Sequence, residues 1–168
     1  SCDAETISSR DPETAARMLE AGNQAPAVVL RANTLRVSRD ELAEKLGRLG
    51  GAAPTGTDVN AGATAGVATQ PGLYAPEALW IVGPLESVES LPGFREGLFS
   101  VQDESSMLVA HVMGRPRLVI DSCAAPGGKA THIAELARDE ARVVACDVSA
   151  RKVALISESA RRLGLRSV

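Results

Sequence analysis

The sequence predicts an α/β fold in which a small α+β subdomain precedes an incomplete, Rossmann-like parallel sheet. Two apolar runs, at residues 118–120 and 143–146, predict neighbouring strands, and a helical pattern follows each of them. Between the first run and its helix lies a turn with two adjacent glycines, Gly127 and Gly128. Strand, helix, strand, helix is the opening of a parallel doubly wound sheet. Only two such strands precede Val168, so we expect a fragment of a longer polypeptide.

The N-terminal part predicts a different arrangement. An apolar run at residues 27–30 predicts a strand, and Ser38 with Glu41 forms a Ser-x-x-Glu capping box at the start of a helix. The run 78–82 predicts a second buried strand. Residues 50–72, rich in Gly, Ala, Thr and Pro, predict a long surface loop. Strand, helix and further strand make a small α+β layer.

We place the domain boundary at the turn formed by Pro92 and Gly93, which divides the chain into residues 1–92 and 93–168. Just beyond it, residues 98–101 predict a short strand, and Asp103 is placed to cap the next helix. The apolar stripe of that helix comprises Met107, Leu108, His111 and Val112. The last helix, from about residue 150, has a predicted buried face of Val153, Ile156, Ala160 and Leu163, with Gly164 as its cap.

The turn after the first parallel strand indicates a ligand. A strand that ends in small residues and two glycines lets a ligand come close to bare backbone, and the following helix offers unpaired N–H groups and a positive dipole end. Asp147 follows Gly128 by about 20 residues, the spacing at which an acid takes ribose hydroxyls in dinucleotide folds. The glycines do not follow G-x-G-x-x-G, which disfavours a nicotinamide or flavin cofactor.

Composition excludes several protein classes. No run approaches the roughly 20 apolar residues of a membrane span, and no signal peptide opens the chain, so we expect a soluble cytoplasmic protein. The three cysteines, Cys2, Cys123 and Cys146, lack C-x-x-C spacing and indicate neither a disulfide framework nor a zinc site. A formal net charge of −3 argues against a strongly basic nucleic-acid binder. Aromatic residues make up 2% of the chain, which leaves few platforms for base stacking.

The string Cys-Ala-Ala-Pro-Gly-Gly-Lys at 123–129, with Thr131-His132 and Asp147, resembles the cofactor site of RNA (cytosine-5)-methyltransferases. The resemblance is to the bacterial Sun/Fmu branch of the NOL1/NOP2/Sun family. Residues 97–106 are similar to the segment that precedes the cofactor motif in the family. Residues 30–34, Leu-Arg-Ala-Asn-Thr, resemble part of its RNA-binding subdomain. The resemblance implies a Rossmann-like methyltransferase domain, an RNA-recognition-like subdomain before it, and small-subunit ribosomal RNA as the substrate.

The resemblance also implies that S-adenosylmethionine is the cofactor. The residues that would bind it are Cys123, Ala124, Ala125, Pro126, Gly127, Gly128, Lys129 and Asp147. In this family a cysteine thiolate adds to carbon 6 of cytosine, and carbon 5 then attacks the methyl group. The family's Pro-Cys and Thr-Cys motifs have no counterpart in this chain, so we expect the nucleophile beyond residue 168 and no methylation by this chain alone. We expect a monomer without a metal ion.

Two other functions stay open at this stage. An RNA ribose methyltransferase also uses an Ala-Pro-Gly-Gly turn, although the flanking Cys123 and Lys129 disfavour it. A non-catalytic RNA-binding or assembly module with a residual nucleotide pocket is the alternative from a different class.

Several polar residues allow two interpretations. Lys129 either approaches the ligand carboxylate or lies on a solvated helix face, and Asp121 either accepts from the cofactor or caps the turn. Arg31, in the Arg-x-Asn element with Asn33, either contacts RNA backbone or is a solvated edge residue. The group Gln102, Asp103, Ser105 and Ser106 either contacts cofactor or RNA, or caps the helix start, which we favour.

Histidine and cysteine positions indicate no further site. His111 and His132 are each far in sequence from a second ligand or nucleophile, so we expect core or helix-face roles for both. Cys146 falls within an apolar run and is expected to be a buried strand residue.

Overall fold

The computed structural model describes Thr14, Ala16 and residues 28–48 and 66–168. Ten helices and strands lie in the two long described ranges. They are β1 (Val29–Ala32), α1 (Arg39–Gly47), β2 (Ala68–Pro71), β3 (Ala78–Val82), β4 (Phe99–Val101), α2 (Glu104–Met113), β5 (Leu118–Asp121), α3 (Gly128–Leu136), β6 (Arg142–Ala145) and α4 (Ala150–Leu163). Most of the loop predicted at 50–72 lies outside the described residues. In the described ranges, no helix combines the length and the apolar character needed to span a membrane.

The first sheet is antiparallel, with strand order β2-β3-β1-β4. Helix α1 covers it, because Leu42 and Leu46 are fully buried in one apolar cluster with Leu30, Leu79 and Phe99. The predicted capping box is confirmed: the Ser38 side chain accepts from the Glu41 N–H, and the Glu41 carboxylate accepts from the Ser38 N–H at 2.8 Å. A strand-helix-strand layer of this kind was predicted for the N-terminal part.

The second sheet consists of β5 and β6, which pair in parallel with Val119 beside Val143. The parallel pair and the helix that connects it confirm the predicted α/β arrangement. Its apolar cluster joins Val119 and Val143 to Ile133 of α3 and to Ile156 of α4. The predicted buried face of α4 is correct for Ile156, Ala160 and Leu163, whereas Val153 is 36% exposed. Gly164 caps α4 with a φ of 79°, as predicted.

Strand β4 lies on the other side of the predicted boundary. The sequence assigned residues 98–101 to the second domain, but β4 pairs with β1, and Phe99 is fully buried in the first cluster. A three-residue strand carries no signal of its partner, so its sheet was not predictable from its own pattern. The division into residues 1–92 and 93–168 stays a prediction, and the first sheet extends past it to Val101.

Helix α2 also differs in detail from its predicted pattern. Met107 and Ala110 are its buried apolar residues, while Val112 is 87% exposed. Asp103 is the N-cap residue, but its side chain makes no capping hydrogen bond. Glu104, the next residue, is buried, and its carboxylate turns toward the first sheet. At the start of α2, the Glu104 side chain therefore points into the protein, whereas Asp103 is exposed.

Candidate cofactor site

Residues 122–127, which we call the cofactor turn, connect the end of β5 to the start of α3. Two backbone hydrogen bonds attach the turn region to the end of β6. The Ala124 N–H donates to the Cys146 carbonyl at 2.9 Å, and the Cys146 N–H donates to the Asp121 carbonyl at 2.7 Å. Because β5 and β6 are parallel, the turn and Asp147 lie at the same carboxyl edge of the sheet. Ligands of open α/β sheets bind at this edge.

Gly127 has a φ of +107°, a conformation that side chains with a Cβ rarely adopt. An added Cβ would lie 3.4 Å from the Ile156 Cα, so the turn packs directly on α4. The Ser159 hydroxyl of α4 donates to the Pro126 carbonyl at 3.3 Å. Among the residues that the structure describes, no side-chain hydrogen bond caps the first turn of α3. Its N–H groups and the positive end of its dipole are thus available to an anionic ligand.

A cavity of about 180 Å³ lies beside the cofactor turn. Residues from two separate segments line it, one around the start of α2 (101–106) and one around the cofactor turn (121–129). They are Val101, Gln102, Asp103, Ser106, Asp121, Cys123, Ala124, Ala125, Pro126, Gly128 and Lys129. Six of the eight residues expected to bind the cofactor are in this lining, while Gly127 is buried behind it and Asp147 lies outside it. Of the group at 102–106 that the sequence left open, Gln102, Asp103 and Ser106 reach the cavity, and the exposed Ser105 does not.

Gln102 provides a specific test of whether a ligand fits. Its side chain is buried, and its Oε1 accepts a hydrogen bond from the Arg31 guanidinium. Its Nε2 is buried without a hydrogen-bond partner among the described residues. A buried donor without a partner is costly, and Gln102 is one of the residues that line the cavity. The residues present therefore suit a polar ligand with acceptor groups.

The two aspartates at the strand ends both make the local hydrogen bonds of turn residues. Asp121 Oδ1 accepts from the Cys123 N–H at 3.3 Å, and Asp147 Oδ1 accepts from the Ser149 N–H at 3.1 Å. Both residues are only partly buried, so their carboxylates stay accessible. Lys129 is exposed beside the cavity. Cys146, expected inside a strand, follows the end of β6 and is exposed, so that prediction was wrong.

The eight buried polar or charged residues in the described ranges all lie where the first sheet meets helices α2, α3 and α4. We call this contact region the seam. Its members are Arg31, Asn33, Glu77, Gln102, Glu104, Thr131, His132 and Glu135. Buried polar groups are stable only when they are hydrogen-bonded, so the seam requires a specific geometry on both sides.

Arg31 of β1 is the centre of the seam and is fully buried. Its guanidinium donates to the Gly128 carbonyl at 2.6 Å, to Thr131 Oγ1 at 3.1 Å and to Glu135 Oε1 at 2.7 Å. Neither interpretation from the sequence is correct, because a buried arginine reaches neither RNA backbone nor solvent. Burial raises the pKa of the Glu135 carboxyl, and the charge of Arg31 opposes that rise. Arg31 thus fixes the first turns of the helix that follows the cofactor turn.

Asn33 lies two residues after Arg31, on the same face of the chain, and also crosses the seam. Its Nδ2 donates to the carbonyls of Gly97 at 2.9 Å and Leu163 at 3.0 Å. Arg162 of α4 completes this side by donating at 2.8 Å to the carbonyls of Phe94 and Phe99. The Arg-x-Asn spacing places two long polar side chains on one face of an otherwise apolar strand. That pattern was the available sequence signal for the seam.

Glu77, just before β3, lies between the two histidines of the chain. Its Oε1 is 2.8 Å from Nε2 of His111 and 2.8 Å from Nε2 of His132. The expectation that the histidines have no second ligand nearby is therefore wrong; they approach each other from α2 and α3. Burial opposes ionisation of Glu77, but its close contacts with Nε2 of His132 and Nε2 of His111 lower its pKa to about 2. Burial lowers the pKa of His132.

Two family models match the chain. Residues 113–168 match the model described as 16S rRNA methyltransferase RsmB/F, and residues 4–64 match the ferredoxin-like domain of RsmF/B-like methyltransferases. The chain belongs to the RsmB/F methyltransferase family. This finding confirms the resemblance to the Sun/Fmu branch, and the second match covers the region expected to form the small N-terminal subdomain.

Individual relatives agree with this assignment. A probable ribosomal RNA small subunit methyltransferase B from Synechocystis is 36% identical over 148 residues, which are 87% of this chain and 30% of that protein. The chain therefore spans about a third of the length of such curated relatives. A methyltransferase homologue from Pyrococcus horikoshii has a TM-score of 0.74 at 28% identity, over 93% of this chain and 47% of that one. NSun6 from the same organism, solved with SFG, shares the fold with a TM-score of 0.70 at 20% identity, over 84% of this chain and 56% of that one.

Proposed function

We propose that this chain is the RNA-binding and cofactor-binding part of an S-adenosylmethionine-dependent RNA (cytosine-5)-methyltransferase that acts on small-subunit ribosomal RNA. The observation that carries the proposal is the cavity at the carboxyl edge of β5 and β6. It combines the cofactor turn, an uncapped helix start and the unpaired amide of Gln102. Membership of the RsmB/F family and the names of the curated relatives support the reaction and the substrate.

Each part of the site has a role in this proposal. The small residues of the turn let the cofactor reach the backbone, and the N–H groups at the start of α3 receive its carboxylate. Asp147 accepts hydrogen bonds from the two ribose hydroxyls at the end of β6. Gln102 and Asp103 face the cavity from its other side and orient the ligand. When bound, S-adenosylmethionine supplies the electrophilic methyl group, and these residues determine where that group points.

The nucleophile is not among the residues of this site. Cys123 lies in the cofactor turn, where we place the cofactor itself, and Cys146 belongs to the adjoining strand end. Neither cysteine occurs in a Pro-Cys or Thr-Cys sequence. We therefore propose that the chain binds the methyl donor and contacts RNA but does not by itself form the covalent adduct that activates carbon 5 of cytosine.

Calorimetric titration with S-adenosylmethionine tests the site. Replacing Asp147 with alanine removes charged hydrogen bonds worth about 1.5–3 kcal/mol, so we expect affinity to fall roughly 10- to 100-fold. The matched control is Asp40→Ala, because the Asp40 carboxylate is 83% exposed on α1, away from the cavity. Equal affinities for the two variants would contradict the assignment of Asp147 to the ribose.

A further inference from the structure

Three groups with metal-ligand chemistry converge at the seam, outside the cofactor cavity. They come from three elements: Glu77 precedes β3, His111 lies on α2 and His132 lies on α3. One ligand atom from each lies within 4.8 Å of the other two. The set contains both histidines of the sequence. The proposed methyl transfer uses none of the three.

The donor set matches a transition metal ion better than a hard cation. Two imidazole nitrogens and one carboxylate oxygen form a set that binds Zn²⁺, with a fourth position for water. Ligand atoms about 2.0–2.1 Å from a tetrahedral Zn²⁺ lie roughly 3.3 Å apart. Each 2.8 Å contact of the Glu77 Oε1 with a histidine would therefore lengthen by about half an ångström to admit the ion.

His132 supplies an independent observation. Its side chain is 1% exposed, and both of its ring nitrogens, Nδ1 and Nε2, are buried without a hydrogen-bond partner in the described part of the chain, although Nε2 lies 2.8 Å from the Glu77 Oε1. A buried imidazole with only one close polar neighbour pays for its desolvation without full compensation, and a bound cation at Nε2 would supply the missing interaction. The nearby Arg31 charge is already paired with Glu135 at 2.7 Å. Access is open on one side, because the His111 side chain is 31% exposed.

We propose that Glu77, His111 and His132 form a site for one divalent transition metal ion, and that zinc is the ion that fits it. The ligands come from the first sheet on one side and from α2 and α3 on the other. A metal ion there would join the two sides of the seam with bonds stronger than the hydrogen bonds between them. The role is structural, since the site is separate from the cavity that receives the cofactor.

The test is the zinc stoichiometry and affinity of the purified, untagged chain after chelation and re-addition of Zn²⁺, measured by calorimetry and by elemental analysis. We expect one ion per chain. His111→Ala and Glu77→Gln should each weaken binding by more than the 10- to 100-fold typical of losing an outer-shell partner. The matched control Glu158→Gln changes an exposed glutamate of α4 and should bind as the parent does.

Cysteines are the main competing ligands, because Cys123 and Cys146 are exposed. The variant with all three cysteines of the sequence, Cys2, Cys123 and Cys146, replaced by serine should retain the ion, and Co²⁺ bound in its place should show no thiolate-to-cobalt charge-transfer band. Zinc that survives His111→Ala but is lost in the serine variant would overturn the proposal. Absence of zinc binding in the folded parent chain would overturn it as well, and would leave Glu77 with a hydrogen bond to His111 and a close contact to His132.

Discussion

The seam and the cofactor turn both contain many hydrogen-bonding groups, but these groups differ in whether protein partners bond them. In the seam, long charged side chains such as Arg31 and Glu135 are fully buried and bonded to each other. In the cofactor turn the side chains are small, Cys123 is exposed, and the hydrogen-bonding groups are largely those of the backbone. The side chains of the seam therefore stabilise the contact between the first sheet and the helices, whereas the cofactor turn leaves backbone groups available for a ligand.

The two regions meet at Gly128. Its carbonyl accepts from Arg31, and its N–H belongs to the uncapped start of α3. Arg31 also bonds Gln102, which lines the cavity. The first sheet therefore positions groups that line the cavity. We therefore expect changes in the seam to reduce stability strongly and changes at the cofactor turn to leave it nearly unchanged.

The largest effect is expected for Arg31→Met. The variant leaves the Glu135 carboxylate buried without its partner, and breaking a buried pair in this way costs about 3–5 kcal/mol of unfolding free energy. The matched change beside the cofactor turn is Lys129→Met, which alters an exposed residue in the first turn of α3 and should shift stability by less than about 0.5 kcal/mol. Urea unfolding measures both. Equal losses of unfolding free energy in the two variants would contradict the expected difference between the seam and the cofactor turn.

Asn33→Ala should have an intermediate effect. It leaves the carbonyls of Gly97 and Leu163 without the donor that both now use, and an unsatisfied buried group costs about 1–3 kcal/mol. Ser122→Ala at the exposed turn is the control, with little change expected. A loss below about 0.5 kcal/mol for Asn33→Ala would mean that water replaces the asparagine at the seam.

A smaller effect concerns pH. Burial raises the pKa of Glu104, but hydrogen bonds from the backbone N–H groups of Ala75 and Tyr74 outweigh it, so the net pKa is lowered. A lowered folded-state pKa stabilises the protein above the unfolded value of 4.5, and this stabilisation is lost as pH falls through the folded-state pKa.

The corresponding measurement is unfolding free energy between about pH 6 and pH 3. Glu104→Gln should lose less stability over this range than the parent chain. Glu96→Gln, at an exposed position before β4, should follow the parent. Parallel curves for the parent and Glu104→Gln would show that the Glu104 carboxylate is not stabilised in its charged form.

Local patterns allowed much of the fold to be predicted. The capping box depends on Ser38 and Glu41, three positions apart, and the glycine turn depends on the conformation of a single residue, Gly127. The parallel order of β5 and β6 follows from the helix between them. Such features are encoded within a few residues or one connection, so a single sequence contains enough information to place them.

The seam could not be predicted in the same way. Arg31 and Glu135 are 104 positions apart, and Asn33 and Leu163 are 130 apart. The place of β4 beside β1 likewise depends on strand pairing within the first sheet, and the meeting of His111 with His132 depends on how α2 packs against α3. Sequence periodicity indicates which face of an element is buried but not which distant element covers it.

The most direct test of the central claim is an NMR titration of the chain with S-adenosylmethionine that follows the backbone amides. We expect the largest shifts at residues 123–125 and 127–130, at Gln102 and near Asp147, because these groups surround the proposed ligand. Residues 78–82 of the first sheet, away from the cavity, should hardly move. Saturating binding that leaves the amides of 123–125 and 127–130 unperturbed, or shifts confined to the first sheet, would contradict the assignment of the cofactor to the turn.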